Sequence, residues 1–427
     1  MALRLTPYER ACLSGQYGEA AEFAMTMMVR LAEALDAEEL LPIEQAHIDA
    51  CALMAPSNLD FVEHLLRDGG RFAVPTTLSM ISLDLEHWKV QAVPKEFAEQ
   101  ALRIADGYLK LGGIPVWTCA PYQDAFTPRF GQQIAWGESN AVVYANSVLG
   151  ARTERYADYL DVCAAITGRV PHGGLHIRGN RRGRILVRLQ EVPNETWRNP
   201  AAWAALGHWL GTHAGSEIPV VDGLPAAPPS AALKALGAAA ASSGGIALFH
   251  AVGITPEAPD LRAAFHGEIP ADAPTLTLEV RDLAAAWEDL GTIPSGDPLD
   301  AVILGCPHAS YEELRQLAEI AQAIDSPRVH PNVQMLVFTH STSYHLALRQ
   351  GLIEPIRRFG AQIIFDTCPF HSPVLRPETR TLMTNSGKCA YYAPGELNAR
   401  VAFGTLEDCV RSAVAGRVSS QGAPWAT

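Results

Sequence analysis

Three short pieces of this chain share a pattern that could do chemistry: "TCAP" around Cys119, "GCPH" around Cys306 and "TCPF" around Cys368. In each, a thiol follows an apolar run, and a proline one or two positions on fixes the backbone and removes a competing N–H donor. Thiolates favour zinc, copper(I) or iron–sulfur over magnesium. The cysteines lie 187 and 62 residues apart, which excludes a CxxC knuckle or a zinc ribbon. A metal held by them must be assembled by the fold from distant segments. Three sulfur ligands would leave one face of that metal open, the arrangement for Lewis-acid work on a substrate. His340, in "FTHSTS", occupies a similar position after an apolar run. For each cysteine the plainer alternative is a small buried side chain in a turn.

These positions acquire meaning if the apolar runs are strands. From residue 246 onward the pattern alternates: strands at "GIALFHAVGI", "TLTLEV", 300–305, 333–338 and "AQIIFD", helices at 310–323, 343–350 and 351–358. Such alternation with short loops predicts an α/β fold whose parallel sheet is covered on both faces. Ligands in such sheets bind outside the carboxyl ends of the strands. The first hundred residues read mostly as helix, over 18–37, 43–53, 58–67 and 94–110, with short strands at 71–74 and 114–118. A helical pair follows, its second part from about Thr153, and "GRILVRLQ" reads as a strand. The Pro/Ala-rich stretch 221–245 reads as a linker followed by an exposed helix. We therefore expect a helix-rich N-terminal α/β lobe over 1–225 and a C-terminal α/β lobe over 226–427.

Two polar segments complete the candidate chemistry. "WGESNAVVYANSVLGART" places Glu138, Ser139 and Asn140 ahead of an apolar helical run, where Ser139 or Asn140 would serve as a cap. Glu138, Asn146 and Arg152 fall close enough together to line a pocket wall. "TNSGKCAYY" either forms a turn or presents Ser386 and Lys388 to an anionic substrate. The net charge of −13 works against a nucleic-acid partner, and the short basic run "RGNRRGR" reads as a solvated turn. Cys12, Cys51, Cys163 and Cys409 read as buried core residues. No apolar stretch approaches the roughly 20 residues that span a bilayer, and the first residues lack a signal-peptide core. The expected location is cytoplasmic. The motifs of serine hydrolases, HExxH metalloenzymes, P-loops and dinucleotide folds are missing.

The segments "LTPYERACLSGQYGEAAEFAM", "CAPYQ", "WGESNAVVYANSVLGARTERYADYLD", "GCPHAS", "DTCP" and "TNSGKCAYYAPG" together resemble the aconitase X family, nearly end to end. The resemblance implies aconitase-like lobes of parallel sheets flanked by helices, with the active site at the strand C-terminal ends between lobes. It implies a hydro-lyase with mononuclear iron or an iron–sulfur cluster (2Fe-2S or another nuclearity). Bacterial members dehydrate cis-3-hydroxy-L-proline to 1-pyrroline-2-carboxylate, and archaeal ones dehydrate mevalonate 5-phosphate. Cys119, Cys306 and Cys368 match the family's cysteine motifs, Glu138, Ser139 and Asn140 its GESN motif, and Lys388 its TNSxK motif. Asn146, Arg152, Ser386 and His340 are candidate substrate contacts. Cys389 stands where an aromatic residue is expected, which leaves a fourth thiol beside the set. The family also uses a small swivelling domain that contributes an active-site serine. No such region is read in this chain, so a separate small subunit is the expected partner. Rival readings are a zinc-dependent hydrolase using cysteine with His308 or His340, and a non-catalytic structural subunit.

Overall fold

The computed structural model describes residues 3–91, 93–123, 126–324 and 328–425. Its first region carries β1 (Leu40–Pro42), β2 (Gln45–Ile48), β3 (Thr76–Leu78), β4 (Ile134–Trp136) and β5 (Arg169–Pro171). β2 is the centre of a parallel sheet, β3-β2-β4, while β1 and β5 pair antiparallel. Helices Glu19–Ala34, Pro56–Arg67, Lys95–Lys110 and Leu160–Thr167 surround them. Lys95–Lys110 buries Ala98, Ala101, Ile104, Ala105 and Tyr108, a stripe at helical spacing.

Here the expected helix over 43–53 is corrected to β2 and the turn after it. All four residues of β2, Gln45 to Ile48, are buried, and its polar–apolar alternation spans only two repeats. A segment that short cannot be told from part of a helix by periodicity. The strand expected at 71–74 lies instead at β3, and 114–118 contributes a single bridge, Ile114 with Thr77. The second part of the helical pair begins at Leu160, not near Thr153.

A parallel sheet β8-β7-β6-β9 follows, from β6 (Ile185–Leu189), β7 (Pro219–Asp222), β8 (His250–Ala251) and β9 (Thr275–Leu278). Only two residues of "GIALFHAVGI" are strand. The helix after the Pro/Ala-rich stretch, Ser230–Ser243, is buried rather than exposed. It packs on helices Pro200–Ala214 and Ser139–Tyr144. Its alanines serve close approach: a Cβ on Gly207 would stand 2.2 Å from the Leu236 carbonyl oxygen. Nor is "RGNRRGR" simply a solvated turn. Arg181 is fully buried, with Nε donating to Glu257 at 2.6 Å and Nη2 to the Asn146 carbonyl at 2.9 Å.

The last sheet holds β10 (Ala301–Ala309), β11 (Gln334–Thr339), β12 (Gln362–Phe365), β13 (Thr381–Thr384) and β14 (Arg400–Phe403). All are parallel, in the order β12-β11-β10-β13-β14. Val302, Leu304, Met335 and Val337 face helices Tyr311–Ala323, Ser341–Arg349, Ile353–Phe359 and Leu406–Ala415. Ala301, Ile303, Leu336 and Phe338 face Pro200–Ala214, Ser230–Ser243, Val280–Leu290 and Gly387–Glu396. Both faces are covered, as the strand–helix alternation predicts. Among the described residues no helix is long and apolar enough to cross a membrane.

Candidate active site

The carboxyl ends of strands from the first and last sheets converge on one cleft of about 230 Å³. Asp49 follows β2 and Glu138 follows β4, while Cys119 arrives on the segment bridged to β3 through Ile114. Cys306, Cys368 and Lys388 come from β10, past β12 and past β13. The two sides are tied by the Ile81–Thr367 bridge, where the Ile81 N–H donates to the Asp366 carbonyl at 2.9 Å. A larger cavity of about 480 Å³ lies on the other side of Gly305–Pro307, but Cys306 is the one thiol in its lining. The smaller cleft holds all three.

Cys306 does not sit past its strand. It lies in an irregular stretch of β10, where the register slips between Leu304 and Ala309. Gly305 makes this possible: its φ is +80°, and a Cβ there would stand 1.9 Å from the Phe338 carbonyl oxygen. A bulge of this kind re-aims a side chain that a regular strand would direct elsewhere.

His308 knits the three thiol segments together. Its Nε2–H donates to the Thr367 carbonyl at 2.7 Å, and Nδ1 accepts from the Thr118 hydroxyl at 3.2 Å. Those two residues immediately precede Cys368 and Cys119. The His308 backbone N–H donates to Cys119 Sγ at 3.4 Å. Burial and the neighbouring His340 push the imidazole down to about 3, so it is neutral. With both ring nitrogens engaged it has none left for a metal, which removes one support of the zinc-hydrolase reading.

Glu138 is the acceptor at the centre of "GESN". It caps helix Ser139–Tyr144, and its Oε1 accepts from Lys388 Nζ at 2.6 Å, Asn140 Nδ2 at 2.8 Å and Ser139 Oγ at 3.2 Å. The cap is therefore Glu138, not Ser139 or Asn140. Burial alone would raise this carboxyl, but the Lys388 ammonium and the Asn140 donors hold it well below the usual carboxylate range. Burial likewise works against the Lys388 charge, and Glu138 with the sulfurs of Cys306 and Cys119 more than offsets it. The result is a buried, ionised pair. Asn140 also donates to the Cys119 carbonyl at 2.9 Å, so it positions that loop and does not line the cleft.

The thiols differ in their surroundings. Burial and Glu138 push Cys119 up to about 12, and burial with the other two sulfurs pushes Cys368 higher than an ordinary thiol. Cys306 is lowered, chiefly by a hydrogen bond from Cys389, against its own burial, and by Lys388. Cys389 is fully buried on helix Gly387–Glu396 and is not part of the cleft lining. Cys12, Cys51, Cys163 and Cys409 are buried in the core, as expected. Among the described residues no three sulfur, imidazole or carboxylate groups already stand at metal-ligand spacing. The donor set nonetheless fits a thiolate-bound metal: three thiols line one cavity, and a bound cation deprotonates coordinating thiols that burial keeps neutral.

Of the other candidates, Ser139 lines the cleft. Ser386 caps its helix, accepting from the Cys389 N–H at 3.0 Å, and its hydroxyl donates to the Cys306 carbonyl. Asn146 is not brought to the cleft: its side chain donates to the Thr153 and Ala247 carbonyls at 3.0 and 2.9 Å and accepts from Arg181. Arg152 lies outside the lining too, with its backbone in a bridge to Gln133. His340 is fully buried behind His308, the two rings stacked 6.3 Å apart. Sequence reasoning missed Asp49 and His371, which both line the cleft. Asp49 obeys the same strand-end rule as the cysteines and was hidden by the helical reading of 43–53.

Fold and cleft together describe an α/β protein whose candidate site lies where parallel strands from two regions end. The chain belongs to the aconitase X family: models of the Aconitase X first, second and third domains match residues 2–179, 183–288 and 299–415. It is 42% identical to cis-3-hydroxy-L-proline dehydratases of Hypocrea jecorina and Pseudomonas aeruginosa, over 97% of this chain and 69% and 70% of theirs. It is 32% identical to the phosphomevalonate dehydratase large subunit of Methanocaldococcus jannaschii, over 95% of this chain and 99% of that one. The crystal structure of Thermococcus kodakaraensis aconitase X in its holo-form superposes with a TM-score of 0.85 at 31% identity, covering 96% of this chain and 100% of that one.

Proposed function

We propose that this chain is the large subunit of a hydro-lyase that dehydrates cis-3-hydroxy-L-proline to 1-pyrroline-2-carboxylate. The observation that carries the reading is the 42% identity, over 97% of the chain, to dehydratases of that substrate. The phosphomevalonate dehydratase large subunit is more distant, at 32%. The cleft points the same way: Asp49, Glu138 and Glu396 line it, and Lys388 is the one lysine or arginine among its lining residues. A phosphate group calls for several charge-assisted donors. The near full-length match to a protein called a large subunit supports a small partner, to which we assign the swivelling domain.

Cys119, Cys306 and Cys368 would hold the iron, as a single ion or an iron–sulfur cluster. That group would act as Lewis acid for the departing 3-hydroxyl. The chain's own residues do the rest of the positioning. Lys388, kept charged by Glu138, presents an ammonium to the substrate carboxylate. His308 fixes the spacing of the three thiol loops. The C2 proton, acidified by the adjacent ammonium and carboxylate, passes to a base that we assign to the partner's serine, as the family resemblance implies.

The test is purification without oxygen, with and without the small subunit, followed by iron analysis, a visible spectrum and parallel assays of cis-3-hydroxy-L-proline and phosphomevalonate. Iron-bearing, coloured protein that turns over the hydroxyproline supports the reading. Iron-free protein inactive with its partner, or turnover of phosphomevalonate alone, overturns it. Cys306→Ser is expected to lose both colour and turnover.

A further inference from the structure

Asp49 stands at the carboxyl end of β2, in the cleft with the thiols and Lys388. Its backbone N–H donates to Asp161 Oδ2 at 2.6 Å. Its Oδ1, by contrast, is shut off from bulk solvent and meets no hydrogen-bond donor among the described residues. A buried acceptor in that condition carries a desolvation cost that a ligand's donor would relieve. Glu138 differs in that its Oε1 already accepts from Lys388, Asn140 and Ser139. Burial, Glu138 and Asp158 together push the Asp49 carboxyl well above its ordinary range. These surroundings favour the protonated carboxyl in the empty cleft, and a cation seated beside it would favour the charged form.

We propose that Asp49 is the subsite for the positively charged ring nitrogen of the substrate, accepting an N–H on Oδ1. This rests on the reading of the substrate as a cyclic amino acid. A zwitterion brings an ammonium to Asp49 and a carboxylate to Lys388. Phosphomevalonate carries no cation to set against Oδ1, so Asp49 is a specificity determinant as well as a contact.

The experiment compares two ring carboxylates of similar shape, L-proline with its ammonium and cyclopentanecarboxylate without one. Their binding to the anaerobically prepared, iron-loaded enzyme with its small subunit is measured by calorimetry and by competitive inhibition. Wild-type enzyme is expected to favour L-proline by roughly 10-fold or more, the worth of a charge-assisted hydrogen bond. Asp49→Asn is expected to weaken L-proline by roughly 10- to 100-fold and to leave cyclopentanecarboxylate within about twofold. Asp49→Ser carries the same comparison if the asparagine variant does not fold. Equal affinity of the two ligands for the wild type, or equal weakening of both in a folded variant, overturns the proposal. Failure of wild-type enzyme to turn over cis-3-hydroxy-L-proline strikes the functional reading instead, and the calorimetric comparison still decides Asp49.

Discussion

Replacing His308 with alanine removes the ring's bonds to the Thr118 hydroxyl and the Thr367 carbonyl, so the loops carrying Cys119 and Cys368 lose their common strut. Iron retention is expected to weaken about 10- to 100-fold, as for other groups that orient metal ligands. Iron content after gel filtration checks this, and His308→Gln should recover part of it. At Glu138–Lys388 the cost of breaking the pair exceeds the worth of the pair. Lys388→Met strands a buried carboxylate and should destabilise the fold by about 3–5 kcal/mol, while adding Glu138→Gln should recover much of the loss. Chemical unfolding of both variants reads the difference. The same pair gives a signed pH dependence. Glu138 is depressed in the folded state, so its contribution is full above its unfolded value of about 4.3 and fades as pH falls further. The stability gap between wild type and Glu138→Gln should therefore narrow below about pH 4.

Close helix packing and short buried strands decide what could be read at the scale of elements. Gly207→Ala sets a methyl against the Leu236 carbonyl and should lower stability by about 1–3 kcal/mol. A thermal melt reads this, and iron per folded chain should stay unchanged because Gly207 does not line the thiol cleft. β10, β11 and β12 were legible as apolar runs separated by amphipathic helices with clear ends, such as Ser310 capping Tyr311–Ala323, whereas the four-residue β13 and β14 were not read. The three cysteines were legible as thiols close after apolar runs, and Glu138 and Lys388 as polar groups in short segments at the starts of helices. β2 was not, and Asp49 vanished with it, because the four residues Gln45 to Ile48 are too few to separate a strand period from a helical one. The Ser230–Ser243 helix misled in the opposite way. A run of alanines looks the same whether it faces water or a neighbouring backbone, and only the glycines of Pro200–Ala214 tell the two apart.

Across the whole molecule, Arg181 bonds both Asn146, within the stretch matched by the first family domain, and Glu257, within the stretch matched by the second. Arg181→Met would leave Glu257 without that partner and Asn146 short of donors. It should destabilise the protein by about 3–5 kcal/mol, and calorimetry should show a lower, broader transition. Asn146 and Arg181 looked like pocket-wall and surface residues because a sequence does not show which polar groups meet in the interior. The cleft itself has a consequence for how the protein is made. Its thiols come from three points along the chain, and Cys368 and Lys388 are synthesised long after Cys119. A nascent or truncated polypeptide owns the first sulfur but none of its companions. With the proposed ligand set, iron is captured only by finished, folded chains, so bound iron reports that synthesis has run past Cys368.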